Sequence, residues 1–335
     1  MTDQKCISLG SPTEWKDALK GIKHAFAHTW ENSHAMRLTT GFNTYLYCFE
    51  SNHVRIVCPI AEREFEGHVD IVTPYGFSGF VGNDNCADFP RYWREFVSQR
   101  GYVCGYIGLN PIFENKTYFG GNELYSYNSI YALDLGLSRN ELFSKLSANR
   151  KRQLKEWKKI SGNLVVEKYA LIEFFLEHYV EFFRGKKAAT AYAFSAATLE
   201  SLFALANVVM VGAGSAERVE AATVFTYTPY VADFLFNIAL PQGRHHSAAL
   251  IWYGVNYFKS IGIPILNLGG GVRANDSLAE FKQRFGGKKF TLSSLKQIYD
   301  AAMYAALCAE VGVDPADRTG YFPAYRSLGT CRPMA

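Results

Sequence analysis

Between Pro264 and Phe290 the chain reads PILNLGGGVRANDSLAEFKQRFGGKKF. A short apolar strand pattern runs into Gly269, Gly270 and Gly271. After a polar loop comes an amphipathic turn with Phe281, Lys282, Arg284 and Phe285, then a second glycine pair, Gly286 and Gly287. Glycine lets backbone approach a ligand closely and accepts positive φ. A lysine and an arginine on the next element can then meet negative charge beside that backbone. The plainer alternative is a strand, a loop and a solvated basic helix.

Two other segments carry charge. The stretch Gln242, Gly243, Arg244, His245 and His246 precedes a helix pattern, and a helix N-terminus with an arginine suits an anion. His245 and His246 are adjacent and lack nearby carboxylate or cysteine partners, so no metal is expected there. The segment Leu142–Ile160 reads as one helix. Leu146, Leu154, Trp157 and Ile160 form its apolar stripe, and Arg150, Lys151, Arg152, Lys155, Lys158 and Lys159 lie on the other side. That basic side is either solvated or set against a phosphate-rich ligand.

The elements that position these residues repeat. Thr44–Phe49 and Val54–Ile60 form a hairpin, Val69–Thr73 the next strand, Phe89–Gln99 a helix stopped by Gly101, and Tyr102–Leu109 a strand. Later, Val208–Val211 and Val219–Thr226 pair across a Gly212–Ala216 turn. Val231–Leu240 follows, then helix Ser247–Lys259, the stop Gly262, and strand Ile263–Leu268. The two stop glycines are 161 positions apart, and the other elements keep nearly that offset. Each unit is a meander followed by a strand–helix–strand crossover, hence a mixed α/β sheet with helices. The boundary is set at residues 1–141 and 142–335. Helices are expected over Leu171–Phe183 and Ala196–Leu205, with an extra C-terminal helix near Leu292–Val311.

At 335 residues, 48% hydrophobic and 20% charged, the chain is globular and exceeds one ordinary core. Its aromatic content of 15% suits apolar cleft walls that still hydrogen-bond. A net charge of +4 admits a polyanionic ligand without requiring nucleic acid. The seven cysteines, Cys6, Cys48, Cys58, Cys86, Cys104, Cys308 and Cys331, are scattered and odd in number, which points to reduced thiols. No signal-peptide pattern and no apolar run of membrane-spanning length is present, so a cytoplasmic protein is expected.

The Gly-Gly, Phe-Lys and Phe-Gly-Gly wording of the 264–290 segment resembles the last motif of the Fem-type transferases, relatives of the GNAT-like N-acyltransferases. Other stretches resemble the family in order: His24–Trp30 near the start, the turn Thr73-Pro74-Tyr75-Gly76-Phe77-Ser78-Gly79, the basic Asn149–Lys159 segment, and Trp252 with Phe258-Lys259-Ser260 and Gly262. The resemblance spans about residues 10–290. It implies tandem GNAT-like domains and transfer of an acyl or aminoacyl group to an amine. Acyl-CoA or aminoacyl-tRNA would be co-substrate, with no tightly bound cofactor and with tRNA as one partner. The acceptor amine would belong to a cell-envelope precursor such as peptidoglycan, or to a polysaccharide precursor.

Acyl transfer passes through an oxyanion that needs fixed donors. The resemblance places Lys282 there, with Gly269, Gly270, Gly271 and Arg284 beside it. The amine also needs a base. Asp70, just before the Pro-Tyr-Gly turn, is the first candidate and Asp233 the second; either can instead be a structural acceptor. Tyr75 either donates to the leaving group or staples its own turn. The Gln242, Gly243, Arg244 and His245 loop stands where GNAT proteins wrap pyrophosphate, but it has one glycine where their signature has two. A rival function is a non-catalytic module that binds a nucleotide-linked sugar or peptide. A nucleic-acid binder using Arg150–Lys159 is a further one.

Overall fold

The structure is a computed structural model that describes residues 2–113, 116–185, 193–214 and 218–331. In chain order its elements begin with β1 (Thr2–Ser8), α1 (Pro12–Leu19), α2 (Trp30–Thr40), β2 (Asn43–Ser51), β3 (Val54–Phe65), β4 (His68–Val72), β5 (Val81–Gly82), α3 (Phe89–Gln99), β6 (Cys104–Gly108) and β7 (Leu124–Asp134). They continue with α4 (Arg139–Lys145), α5 (Ala148–Gln153), α6 (Trp157–Ser161), α7 (Lys168–Gly185), α8 (Ala196–Phe203), β8 (Val208–Gly214), β9 (Val219–Tyr227), β10 (Ala232–Ala239) and α9 (Ser247–Ser260). The last are β11 (Ile265–Gly270), α10 (Ser277–Gln283), β12 (Lys288–Ile298) and α11 (Ala301–Glu310).

Compactness divides the chain at other places than the 141/142 boundary read from the repeat. One unit joins Met1–Ser126 to Leu292–Ala335, and the other is Tyr127–Thr291. The reason lies in the strands. In the first unit the sheet order is β1-β2-β3-β4-β6-β12, with β12 antiparallel to β6. The C-terminal residues therefore return to this unit, and α11 packs there through Tyr304, Leu307 and Cys308 against Val103 and Cys104.

The second unit has the order β7-β11-β10-β9-β8. Its hairpin β8–β9, third strand β10 and crossover through α9 to parallel β11 repeat the sequence β2–β3, β4, α3, β6 of the first unit. Both crossover helices stop at a left-handed glycine, Gly101 at φ 69° and Gly262 at φ 79°. The expected mixed α/β architecture, with one meander-and-crossover arrangement in both units, is therefore present. Gly212 to Gly214 of the expected Gly212–Ala216 turn belong to β8, and residues 215–216 of it lie outside the described residues.

Each unit has its own core. An aromatic cluster of Tyr47, Phe49, Phe80, Phe89, Trp93 and Phe96 fills the first between α3 and the sheet. Trp93 Nε1 donates to Gln297 Oε1 at 2.8 Å, tying β12 to that core. In the second, Leu250, Ile251, Val255 and Phe258 of α9 meet Phe225 and Leu266. Gly254 allows this approach, since a Cβ there would lie 2.6 Å from the Phe225 ring. His28 and Thr29 build the start of α2, whose N-cap Thr29 accepts from Asn32 N. His28 is fully buried, and burial pushes its imidazole down to about 3.

Two helix expectations need correction. Leu142–Ile160 is three short helices, α4 to α6, because Leu146 and Ser147 turn extended and Ser147 caps α5. Leu292–Val311 is the strand β12 followed by α11; its residues Leu292–Leu295 are all buried, so the strand lacks the alternation that marks a half-exposed one. The six cysteines whose side chains are described are free thiols. Among the described residues no helix is long and apolar enough to cross a membrane.

Candidate active site

Lys282 is the residue around which the second unit's polar groups gather. Asp276 caps α10, accepting from Ala279 N at 2.8 Å and Arg273 N at 2.9 Å. That cap fixes the helix so that Lys282 faces inward, with 6% of its surface exposed. Its Nζ donates to Gly270 O at 2.7 Å and stands 5.3 Å from the centroid of the Phe234 ring. A Cβ on Gly269 would lie 3.1 Å from Nζ, and Gly269 has φ 68°, so glycine admits both the turn and the ammonium.

The neighbouring rung is polar too. Asp233 and Asn267 are paired across the parallel strands β10 and β11. Asn267 Nδ2 donates to Asp233 Oδ1 at 2.9 Å, and Asn267 Oδ1 accepts from Gly269 N at 2.8 Å. Beyond this rung both strands are irregular, β10 between Phe234 and Phe236 and β11 between Asn267 and Gly270. Lys282 enters where they part.

Among the described residues no carboxylate lies within ion-pair distance of Lys282. Burial pushes its ammonium down to about 7, with Asp276 opposing the shift. An ammonium has three donors, and among the described residues a single one is bonded. The arrangement can therefore present positive charge and N–H donors to an oxygen that gains negative charge.

The remaining sequence candidates fall elsewhere. Arg284, at the end of α10, pairs with Glu280 at 3.2 Å on the exposed side. Gln242, Gly243, Arg244 and His245 belong to a 3₁₀ turn, Pro241–His246, that leads into α9. Gly243 N donates to Leu240 O at 2.9 Å, and a Cβ on Gly243 would lie 2.3 Å from Glu220 O. Its amide is thus used within the loop, and its glycine character serves packing against β9. His245 Nδ1 lies 2.7 Å from Gln242 O.

Asp70 and Tyr75 lie in the first unit. Asp70 is fully buried and saturated with partners: Arg63 Nε at 2.7 Å, Arg326 Nε at 2.6 Å and Tyr325 Oη at 3.0 Å. Tyr75 offers its carbonyl to Asn32 Nδ2 at 3.1 Å. The structure thus brings Lys282 to the Gly269–Gly271 turn in the second unit, with Asp233 linked to that turn through Asn267, while Asp70 and Tyr75 lie in the first.

Three participants escaped the sequence reading. Asn267 and Phe234 sit on the expected strands Ile263–Leu268 and Val231–Leu240, and their position next to the glycine run and Asp233 is the available signal. Arg150 was read as part of a basic face, yet it is 4% exposed and its guanidinium lies 4.2 Å from the Phe281 ring centroid. The i, i+4 spacing of Phe281 and Phe285 was its one hint.

No protein-family model and no curated protein sequence matches this chain. Solved structures do. FemX aligns over 91% of this chain and 99% of its own, with a TM-score of 0.68 and 9% identity. The C-terminal domain of a putative lysylphosphatidylglycerol synthetase from Agrobacterium fabrum covers 93% of this chain and 99% of itself, with a TM-score of 0.58 and 14% identity. L-PGS from Bacillus licheniformis covers 85% and 91%, with a TM-score of 0.55 and 12% identity. At these identities the likeness establishes the fold alone, which this chain shares with FemX and the two lysylphosphatidylglycerol-synthetase-type structures.

Proposed function

We propose that this chain is an acyl- or aminoacyltransferase whose reacting carbonyl lies against Lys282. The observation that carries this reading is a buried ammonium with no carboxylate at ion-pair distance among the described residues, placed where the parallel strands β10 and β11 part beside a glycine turn. An amine nitrogen attacks the acyl carbonyl carbon, and the oxygen that becomes anionic takes hydrogen bonds from Lys282 Nζ. Asp233, in the same polar group, takes the amine proton directly or through water. The C–S bond of a thioester, or the C–O bond of an aminoacyl ester, then breaks, and the departing sulfur or oxygen gains a proton. The donor is acyl-CoA or aminoacyl-tRNA, and the acceptor an amine on a cell-envelope precursor. We place the reaction in the cytoplasm, where both donor classes occur. Asp70, already held by two guanidinium groups and a phenol, is in this reading a structural anchor.

The test is Lys282→Met, assayed with acyl-CoA and aminoacyl-tRNA donors against a panel of amines. Loss of an oxyanion donor costs on the order of 100- to 1000-fold in turnover, about 3–4 kcal/mol. Donor affinity should change far less, because the charge develops in the transition state. Parent-rate turnover in the variant would remove Lys282 from the chemistry. A wild-type protein that retains a nucleotide-linked sugar or peptide yet transfers from none of the donors would favour the non-catalytic module instead.

A further inference from the structure

We propose that Arg150 is a positioning residue for Lys282, gripping α10 through Phe281 and Phe285 so that the lysine stays aimed at the Gly269–Gly271 turn. This rests on the transferase reading above only for its catalytic consequence. Its geometry stands alone. Arg150 lies on α5 with 4% of its surface exposed. Its guanidinium carbon is 4.2 Å from the Phe281 ring centroid and 5.2 Å from that of Phe285. Nη1 donates to Gln153 Oε1, while Nε is buried with no hydrogen-bond partner among the described residues.

Among the described residues no carboxylate lies within ion-pair distance of Arg150. A buried cation left without an acid is a poor device for stability, since an apolar side chain of similar volume does as well or better there. What the guanidinium has instead is two aromatic faces, and such contacts strengthen when desolvated. Both rings sit on the short segment that carries Lys282, one residue before it and three after. A second tie joins the same elements, where Ser147 N, at the cap of α5, donates to Arg284 O at 3.0 Å. Rotation of α10 by a fraction of a turn would carry Nζ away from Gly270 O, so the grip on its aromatic side governs where the ammonium points.

The charged groups around Lys282 are Asp276 at the cap of its own helix, Asp233 reached through Asn267, and Arg150 and Arg284 on the side of the rings. A loosened α10 lets water reach the ammonium, which then titrates closer to an ordinary lysine.

The experiment follows the Lys282 ammonium by NMR in protein labelled with ¹³C and ¹⁵N lysine, without donor, using Lys282→Met to assign its signal. In the wild type it should titrate near the value of about 7 that burial imposes. In Arg150→Met the midpoint should move up by about 1 pH unit or more, with Arg150→Lys recovering part of the shift. Thermal stability should stay level or rise, whereas a merely structural arginine would lower it and leave Lys282 alone. With a donor in hand, kcat should fall roughly tenfold or more with KM little changed, as expected for misplacement of a group that acts in the transition state. An unchanged Lys282 titration in folded Arg150→Met overturns the proposal. Should that variant not fold, Phe281→Leu removes the main ring face and must give the same shift. A shifted titration in a protein with no transferase activity would sink the transferase reading and leave the grip intact.

Discussion

The two units solve one problem in opposite ways. Each crossover leaves a parallel strand pair with two rungs, Ile71 to Gly105 and Val72 to Tyr106 in the first, Ala232 to Leu266 and Asp233 to Asn267 in the second. In the first unit the backbone and one threonine hydroxyl staple the strands beyond the last rung. Thr73 N donates to Tyr106 O at 3.1 Å, Gly108 N to Thr73 Oγ1 at 3.0 Å, and Ser78 bridges Leu109. In the second unit both strands lose register, and a lone ammonium stands at the gap. Buried charge follows the same division. Asp70 is compensated twice over by arginine, while among the described residues Lys282 has no acid within ion-pair distance. The first copy is closed with its acid paired, and the second is open with its ammonium unpaired among the described residues, the division that the proposed transferase reading requires.

The sharpest test of this contrast removes each buried charge. Asp70→Ala would strand Arg63 and Arg326 in the first unit, a loss of about 3–5 kcal/mol in denaturant unfolding. Lys282→Met should do the reverse, abolishing most turnover while leaving stability level or higher. If both variants unfold alike, the distinction between an anchor and a reactive cation fails.

A smaller effect concerns pH. Lys282 has a folded pKa of about 7, below the ordinary 10.5. Between those values the unfolded chain holds more protons, so this group's contribution makes stability rise with pH across that window, by a few kcal/mol at most. The stability difference between wild type and Lys282→Met should therefore depend on pH between about 7 and 9. Turnover that needs the cation should fall over the same range. Growth of turnover with pH instead would mark a neutral amine as the active form.

The mildest pair compares two glycines. Gly76 has φ 110°, and a Cβ would meet Ala27 Cβ at 2.7 Å. Gly76→Ala should destabilise by about 1–3 kcal/mol, read by thermal melting. Gly269, at φ 68°, would meet only the tip of Lys282, so Gly269→Ala should cost about 1–2 kcal/mol. Its turnover should suffer more than its stability. Equal loss of activity in the two variants would erase the difference between the copies.

What was legible in the sequence was what local pattern encodes. Phe89–Gln99 and Ser247–Ser260 show helical spacing and end at glycines, and the hairpins are apolar runs on either side of a turn, so the duplicated architecture is legible in the sequence. β12 could not be, because its partners lie some 190 residues away and burial of Leu292–Leu295 hides any period of two. β1 failed for the opposite reason: an edge strand of TDQKCIS exposes most of its residues and has little pattern to show. Lys282 stood out through its glycines and phenylalanines. The burial of Arg150 did not, because a cation in a run of cations looks solvated until aromatic rings from 131 residues later are placed over it.

One feature of the sheets governs how the protein comes into being. β6 is complete by residue 108, but the strand beside it, β12, ends at residue 298. At roughly 5–20 residues per second a ribosome leaves that edge bare for on the order of ten to forty seconds. β7 waits in the same way for β11, whose residues begin at 265. A nascent chain halted midway carries a sheet with an unpaired inner edge, open to pairing with other chains. Neither unit is a finished object until the other has nearly been made, so newly synthesised protein should need shelter through most of its translation.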